Sequence, residues 1–313
     1  MSDDIGFSVA CHKGDVPLLR GCLASIRYFA PDAPICLIID GDFDSRPFEK
    51  RYGVSCIRKH NVLSEKLKKL SFGYGITKMV ALWEAPFKKV IHIDADAVLW
   101  GDIRNNLPEG DWDFVHNEPH EVITEFIQKT QYFDPKFVTN QIRNFDWEGN
   151  PYFNTGVFAF RVGALNLEEY TQLLEMRQRS IEKFGAGDQG VLNILVFRAM
   201  NDGRLKVKQA HLQSVVPVLS KSQMERFRFQ SGQPILLSKA TVVHWAGPKP
   251  YIGNSDVFSL PMDYFRELGM RDFGLPDWFS VKKAMRIDEF LHRDFPRTIS
   301  NAKKTIKKLI GRK

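Results

Sequence analysis

Lys89-Val90-Ile91-His92-Ile93-Asp94-Ala95-Asp96 is the stretch on which the fold turns. Val90, Ile91 and Ile93 make a short β-branched run, interrupted only by His92, of the kind found in strands covered on both faces. The run stops at two carboxylates separated by one alanine. In open α/β sheets ligands collect beyond the carboxyl ends of the strands, so Asp94 and Asp96 stand where a ligand would sit. Their hard oxygens suit Mg²⁺ or Mn²⁺, ions that keep coordination positions free for diphosphate oxygens. The pattern is short, and Asp40-Gly41-Asp42 repeats it after another apolar run, so other segments must decide its meaning.

On either side, short apolar runs alternate with helical spacing. Strands are predicted at 7–11, 34–40, 54–58 and 113–116, with helices at 18–28 and 76–84. A strand at 156–160 precedes helices at about 164–184 and 189–199, and further strands fit 214–219 and 241–245. This alternation implies an α/β domain with a mainly parallel sheet. There is no internal repeat and no long low-complexity linker. The division expected is a core domain over 1–260 and a helical, basic C-terminal segment over 261–313.

The chain has 313 residues, 43% hydrophobic and 26% charged, which excludes disorder, collagen and coiled coil as overall classes. Its formal charge of +7 suggests an anionic partner. Eleven of the 44 basic residues lie in the last 33 positions, opposed by three of the 37 acidic ones. The body is therefore close to neutral and the basic character belongs to one end. That distribution, with no nucleic-acid-binding motif, argues against a nucleic-acid partner. Cys11, Cys22, Cys36 and Cys56 match no metal or redox spacing, and Cys11 and Cys36 sit in strand-like runs where burial is expected. Met1-Ser2-Asp3-Asp4 lacks a signal-peptide layout, and no apolar run approaches the ~20 residues of a membrane span. A cytoplasmic protein with reduced thiols is expected.

Three more segments carry chemistry. Val242-Val243-His244-Trp245-Ala246-Gly247-Pro248-Lys249 ends a strand in an imidazole and continues into a turn with a lysine. His244 could complete a metal site with Asp94 and Asp96, Gly247 would admit a phosphate close to the backbone, and Lys249 would add a point charge. A satisfied core histidine and an ordinary turn lysine remain the plainer alternative. Asn154 precedes a strand, and Gly187-Asp188-Gln189-Gly190 opens a helix, where Asp188 could be no more than an N-cap. Gly185-Ala186-Gly187-Asp188-Gln189-Gly190 matches the dinucleotide fingerprint but follows a predicted helix rather than a strand, which removes the context it needs.

Lys78, the Asp94-Ala95-Asp96 strand end, Phe153-Asn154-Thr155-Gly156, Gly187-Asp188-Gln189-Gly190 and His244 through Tyr251 together resemble, in order and rough spacing, the retaining GT-A glycosyltransferases of family 8. That family includes glycogenin and bacterial lipopolysaccharide galactosyl- and glucosyltransferases. The resemblance covers about residues 5–255 and implies a Rossmann-like GT-A catalytic domain for nucleotide-diphospho-sugars. It implies that Asp94, Asp96 and His244 bind Mn²⁺ or Mg²⁺, and that Gly247 and Lys249 meet the donor diphosphate. Ala10, His12 and Lys13 would lie by the base and ribose, with Lys78, Asp94 and Ala95 also against the donor. Asn154, Asp188 and Gln189 would surround the transferred sugar and the acceptor hydroxyl. The implied partners are a nucleotide-sugar donor and a glycan or glycolipid acceptor such as a lipopolysaccharide core. Three positions depart from the family pattern: Pro248 alone separates Gly247 from Lys249, Tyr251 replaces a common Trp, and Gly185 stands where glycogenin-type members often carry Asp.

From 297 onward there are seven basic residues and no acidic one. Ile299, Ala302, Ile306, Leu309 and Ile310 recur at helical spacing, with Lys304, Lys308 and Arg312 opposite. At about 1 kcal/mol per basic residue near anionic lipid, residues 297–313 predict peripheral attachment to the inner face of a membrane. Two other functions fit the same core. One is a sugar nucleotidyltransferase, for which Cys11-His12-Lys13-Gly14-Asp15 is a poor version of the required loop. The other is a non-catalytic, membrane-docked sugar-nucleotide binder.

Overall fold

A computed structural model describes residues 5–73, 75–118, 123–185, 187–216, 218–254 and 257–310, with the side chains of 303–310 outside the description. In chain order the first strands are β1 (Ile5–His12), β2 (Ile35–Asp40), β3 (Val54–Arg58), β4 (Lys89–Asp94), β5 (Ala97–Trp100) and β6 (Phe114–Asn117). They are followed by β7 (Val157–Arg161), β8 (Val207–Ala210), β9 (Gln213–Val216), β10 (Phe227–Gln230), β11 (Gln233–Leu236) and β12 (Thr241–Trp245). Seven of them form one sheet in the order β3-β2-β1-β4-β7-β6-β8. Its pairings are parallel except around β7, which runs antiparallel to both β4 and β6. The fold is the expected α/β class with a mainly parallel mixed sheet.

Both faces of the sheet are covered, which explains the near-continuous apolar runs. Phe7 and Val9 of β1, Leu37 of β2 and Ile93 of β4 face one core, shared with Leu19 and Leu23 of the helix Val16–Phe29. Cys36 and Ile38 of β2 and Val90 of β4 face the other, with Leu195 and Phe197 of the helix Gln189–Asn201. Cys11 and Cys36 are buried free thiols, one on each face. The helix Leu260–Asp272 packs along Val16–Phe29, and its Met262 and Phe265 enter the first core.

A three-stranded sheet, β5-β12-β9, is attached through the two-residue link from β4 to β5. In it β12 runs antiparallel to β5 and parallel to β9. The sequence reading omitted β5, β8 and the β10–β11 hairpin. Ala97–Trp100 is four residues long and follows the carboxylates with no turn signal, so nothing marks it as a new strand. The helix predicted over 164–184 is shorter. Asn166 caps it by accepting from Glu168 N and Glu169 N at 2.8 and 3.1 Å, which fixes the start at Leu167, and it ends at Arg179.

The glycines that imitate a dinucleotide fingerprint do something else. A Cβ on Gly190 would lie 2.0 Å from the Tyr132 carbonyl oxygen, and one on Gly185 would lie 2.3 Å from the Gln131 carbonyl carbon. They let the backbone at 131–132 pass against the start of the helix Gln189–Asn201, and Gly185 N donates to Tyr132 O at 2.6 Å. An Asp at 185 would meet that backbone, a physical reason for the departure seen there.

Among the described residues no helix is long and apolar enough to cross a membrane. The backbone is helical over Phe295–Ile310, and Phe295 and Ile299 are exposed. Lys304, Ile306, Lys308, Leu309, Ile310 and Arg312 of the expected amphipathic face lie outside the residues whose side chains are described.

Candidate functional site

The carboxyl ends of β1, β2 and β4 open onto a cleft of about 440 Å³. Asp94 is the last residue of β4, level with Ala10 of β1, and its N–H donates to Gly156 O at 2.9 Å. The chain then turns through Asp96 into β5, where Ala97 pairs with His244 of β12. The register of that missed strand is what carries the imidazole to the carboxylates. His244 Nε2 lies 3.8 Å from Asp94 Oδ2 and 3.6 Å from Asp96 Oδ1, and one ligand atom from each of the three residues falls within 4.8 Å of the others.

The surroundings fix the imidazole. His244 Nδ1 lies 2.8 Å from Gln213 Oε1, an oxygen that can only accept, so Nδ1 carries the proton and the Nε2 lone pair faces the carboxylates. Burial lowers the His244 pKa although Asp96 and Asp94 oppose this, which favours the neutral, ligating form. Gly156 lies against the ring so closely that a Cβ there would be 2.0 Å from His244 Cε1. Asp96 Oδ1 is buried and has no hydrogen-bond partner, while Oδ2 pairs with Lys249 Nζ. Two carboxylates, one of them with an unpartnered oxygen, and an oriented imidazole are a donor set that fits a divalent cation.

Lys78 sits on a single 3-10 turn, Thr77–Val80, tied down by Thr77 Oγ1 donating to Asp40 Oδ2 at 2.9 Å. Its buried ammonium donates to both oxygens of Asp94 at 3.0 Å and to Thr155 O at 2.9 Å, and lies 3.4 Å from Asp188 Oδ2. Burial disfavours that charge, but Asp188 and Asp94 outweigh it and raise the pKa. For Asp94 burial acts upward, and Lys78 with His92 more than offsets it, holding the carboxyl well below its usual range. His92 Nε2 lies 3.2 Å from Asp94 Oδ1, and its Nδ1 lies 3.0 Å from Ser8 Oγ. Asp188 is raised, chiefly by burial. It occupies the N-cap position of the helix Gln189–Asn201 yet caps no backbone N–H, because its side chain is turned toward Lys78.

Beside this network runs a line of amides. Gln213 Nε2 donates to Asn154 Oδ1 at 3.3 Å, and Asn154 Nδ2 donates to Gln189 Oε1 at 3.2 Å. Asn193, one turn into the helix, holds the backbone of Phe153 from both sides at 3.0 Å. Sequence reasoning missed Gln213. Its signal is only a glutamine at the head of the short strand Gln213–Val216, which the structure shows to be fully buried.

The cleft wall includes Ala10, His12, Lys78, Asp94, Ala95, Asp96, Asp188 and Lys249 from the sequence reading. Asn154, Gln189 and His244 are not among its lining residues. Gly247, with φ +137°, lies off the wall, and Lys13 is exposed on the 3-10 turn Lys13–Asp15. Asp15, Asp40 and Thr77 line the cleft without having been singled out as site residues. The wall carries five carboxylates against two ammonium groups. An anionic ligand would be repelled from such a cleft, whereas a divalent cation would invert the local field.

The model of the family described as glycosyl transferase family 8 matches residues 78–250, just over half of the chain. Among solved structures the fold resembles that of the galactosyltransferase LgtC in complex with donor and acceptor sugar analogs. The identity is 15%, covering 87% of this chain and 98% of that one, with TM-score 0.56. It also resembles the apo bifunctional glycosyltransferase WbbM at 14% identity, covering 92% of this chain and 52% of that one, TM-score 0.54. The glycosyltransferase GlyE of Streptococcus pneumoniae matches at 14% identity, covering 93% and 64%, TM-score 0.50. At these identities the likeness is one of fold, and that fold is GT-A. No curated protein matches the sequence.

Proposed function

As a member of glycosyl transferase family 8 this chain is a glycosyltransferase, and we propose that it moves a hexose with retention from a UDP-sugar to a glycan or glycolipid hydroxyl. The observation that carries this reading is the Asp94–Asp96–His244 group facing an acidic cleft, with Lys249 poised beside it. The catalytic domain is residues 1–260, with Met262 and Phe265 of the next segment packed into its first core. A bound Mn²⁺ or Mg²⁺, held by Asp94, Asp96 and His244, would supply positive charge to the diphosphate leaving group.

The chain's own residues do the rest. Lys249 exchanges Asp96 for the diphosphate and stabilises its growing charge, and Gly247 lets the backbone come close. Ala10, His12 and Lys13 receive the base and ribose. Lys78 holds Asp94 and Asp188 side by side through its ion pairs. Asn154, Asp188 and Gln189 orient the transferred hexose and the acceptor hydroxyl, so that attack occurs from the face the leaving group vacates or through one of these side chains as nucleophile. The acceptor is a lipopolysaccharide core or a similar surface glycan. The exposed Phe290, Leu291, Phe295 and Ile299, together with the basic residues 297–313, hold the enzyme on the anionic inner face of the membrane where such acceptors are built.

A panel of nucleotide sugars tested with Mn²⁺ by thermal shift should single out one donor. At one hundred times its dissociation constant a ligand adds about 2.7 kcal/mol of stability. A flat panel, with no hydrolysis of any donor, would overturn this function. Gln213→Leu tests the imidazole's support. Without the acceptor for Nδ1–H, Mn²⁺ affinity should fall by about 10- to 100-fold while the fold persists. Unchanged Mn²⁺ binding by calorimetry would place the metal elsewhere.

A further inference from the structure

The loop that carries Lys249 continues beyond the family match and is held from outside it. Asn254 Nδ2 donates to Lys249 O at 3.0 Å, and Tyr251 N donates to the same oxygen at 2.9 Å, so the stretch 249–254 folds back on itself. Two residues of the C-terminal helical segment grip this stretch. Glu289 Oε1 accepts from Ile252 N at 3.0 Å, and it is itself pinned by Arg266 Nη1 at 2.7 Å in a buried ion pair. The guanidinium of Arg293 covers the ring of Tyr251 at 4.0 Å, and the Tyr251 hydroxyl points at Asp15 Oδ1, 3.5 Å away on the cleft wall. The helix Val281–Glu289 is anchored in turn by its Asp288, which accepts from Arg20 Nε and Nη2 at 2.9 and 3.1 Å on the helix Val16–Phe29.

From this we infer that Glu289 and Arg293 are positioning residues for the donor site, resting on the glycosyltransferase reading above. They act through Tyr251 and Ile252 to hold the backbone under Lys249, leaving only its side chain to move when a diphosphate enters. A loop ordered in advance spares the donor the entropy of ordering it on binding. Their effect therefore falls on donor affinity rather than on the chemical step. Both residues lie beyond position 250, where the family match ends.

Glu289→Ala strands the buried Arg266 guanidinium and tests folding more than positioning, so the experiment runs through Arg293, which is partly exposed. Full-length wild type, Arg293→Ala and Arg293→Lys are compared for nucleoside diphosphate binding by calorimetry in Mn²⁺, for donor KM, for kcat and for Tm. The expected result is a rise of about three- to fivefold in diphosphate Kd and donor KM for Arg293→Ala, on the scale of a partly exposed cation–π contact. Acceptor KM, kcat at saturating donor and Tm stay near wild type, and Arg293→Lys recovers part of the loss. A Kd within twofold of wild type, or below it, overturns the inference and leaves the proposed function standing. A uniform fall in kcat with a lowered Tm also overturns it, since that marks a structural role. If wild type binds no nucleoside diphosphate, both readings fall together.

Discussion

Asp96→Asn is expected to slow sugar transfer severely without destabilising the metal-free protein. Asp96 Oδ1 is buried with no hydrogen-bond partner, and the cleft wall already carries five carboxylates against two ammonium groups. Removing one of those charges relieves like-charge crowding, and the freed Lys249 is exposed enough to be solvated, with its side chain at 33%. The metal-free Tm should stay level or rise. Function should move the other way. Losing one of the three groups proposed to hold the cation, with its charge, should lower kcat on the order of 10³-fold, about 4 kcal/mol of transition-state stabilisation. Scanning calorimetry in chelator and in Mn²⁺ checks the first part, since the Mn²⁺-dependent shift of wild type should vanish. A variant that transfers sugar within tenfold of wild type would remove Asp96 from the mechanism.

Lys78→Met is expected to have the larger effect on folding. The side chains are of similar length, so packing is nearly kept, but the buried Asp188 and the partly buried Asp94 then lose their shared cation. Breaking one partner out of a buried ionic group costs about 3–5 kcal/mol. The pH dependence has a definite sign. Wild-type Lys78, its pKa raised, is charged throughout the neutral range, and Asp94, its pKa lowered, stays ionised well into acid. In the variant the carboxylates can escape their burden only by taking up protons, so the penalty should shrink as pH falls from about 8 to about 5. Asp188→Asn in the Lys78→Met background removes one of the two orphaned charges and should recover part of the stability. Urea denaturation of the two variants at both pH values measures this. A penalty independent of pH would mean that lost packing, not stranded charge, is responsible.

What could be read from the sequence follows physical rules. β1, β2 and β4 were legible because strands buried on both faces must be apolar along their whole length, and Asp94 was conspicuous because it ends such a run. β5 and β8 were not. Each has four residues, and β8 is a half-exposed strand at the sheet edge where apolar pattern is weakest. Asp188 had two readings, a helix N-cap and a residue beside the transferred sugar, and its partner Lys78, 110 positions earlier in the chain, could not be read from the local sequence. Gln213 was invisible because its meaning lies in His244, 31 positions away along the chain. Lys13 was named through the family resemblance and Gly247 for backbone freedom, and both lie off the cleft wall among the described residues.

The empty Cβ position at Gly156 has a consequence for descent. The imidazole of His244 occupies the volume that any larger residue at 156 would need. Neither site can drift alone: a side chain gained at the first evicts the ring at the second, and a smaller residue at the second leaves a hollow over the first. A turn position just before β7 and a position within β12 are thus inherited as one character. A relative that has changed either should have changed both, and should have parted with this ring at the carboxylates when it did.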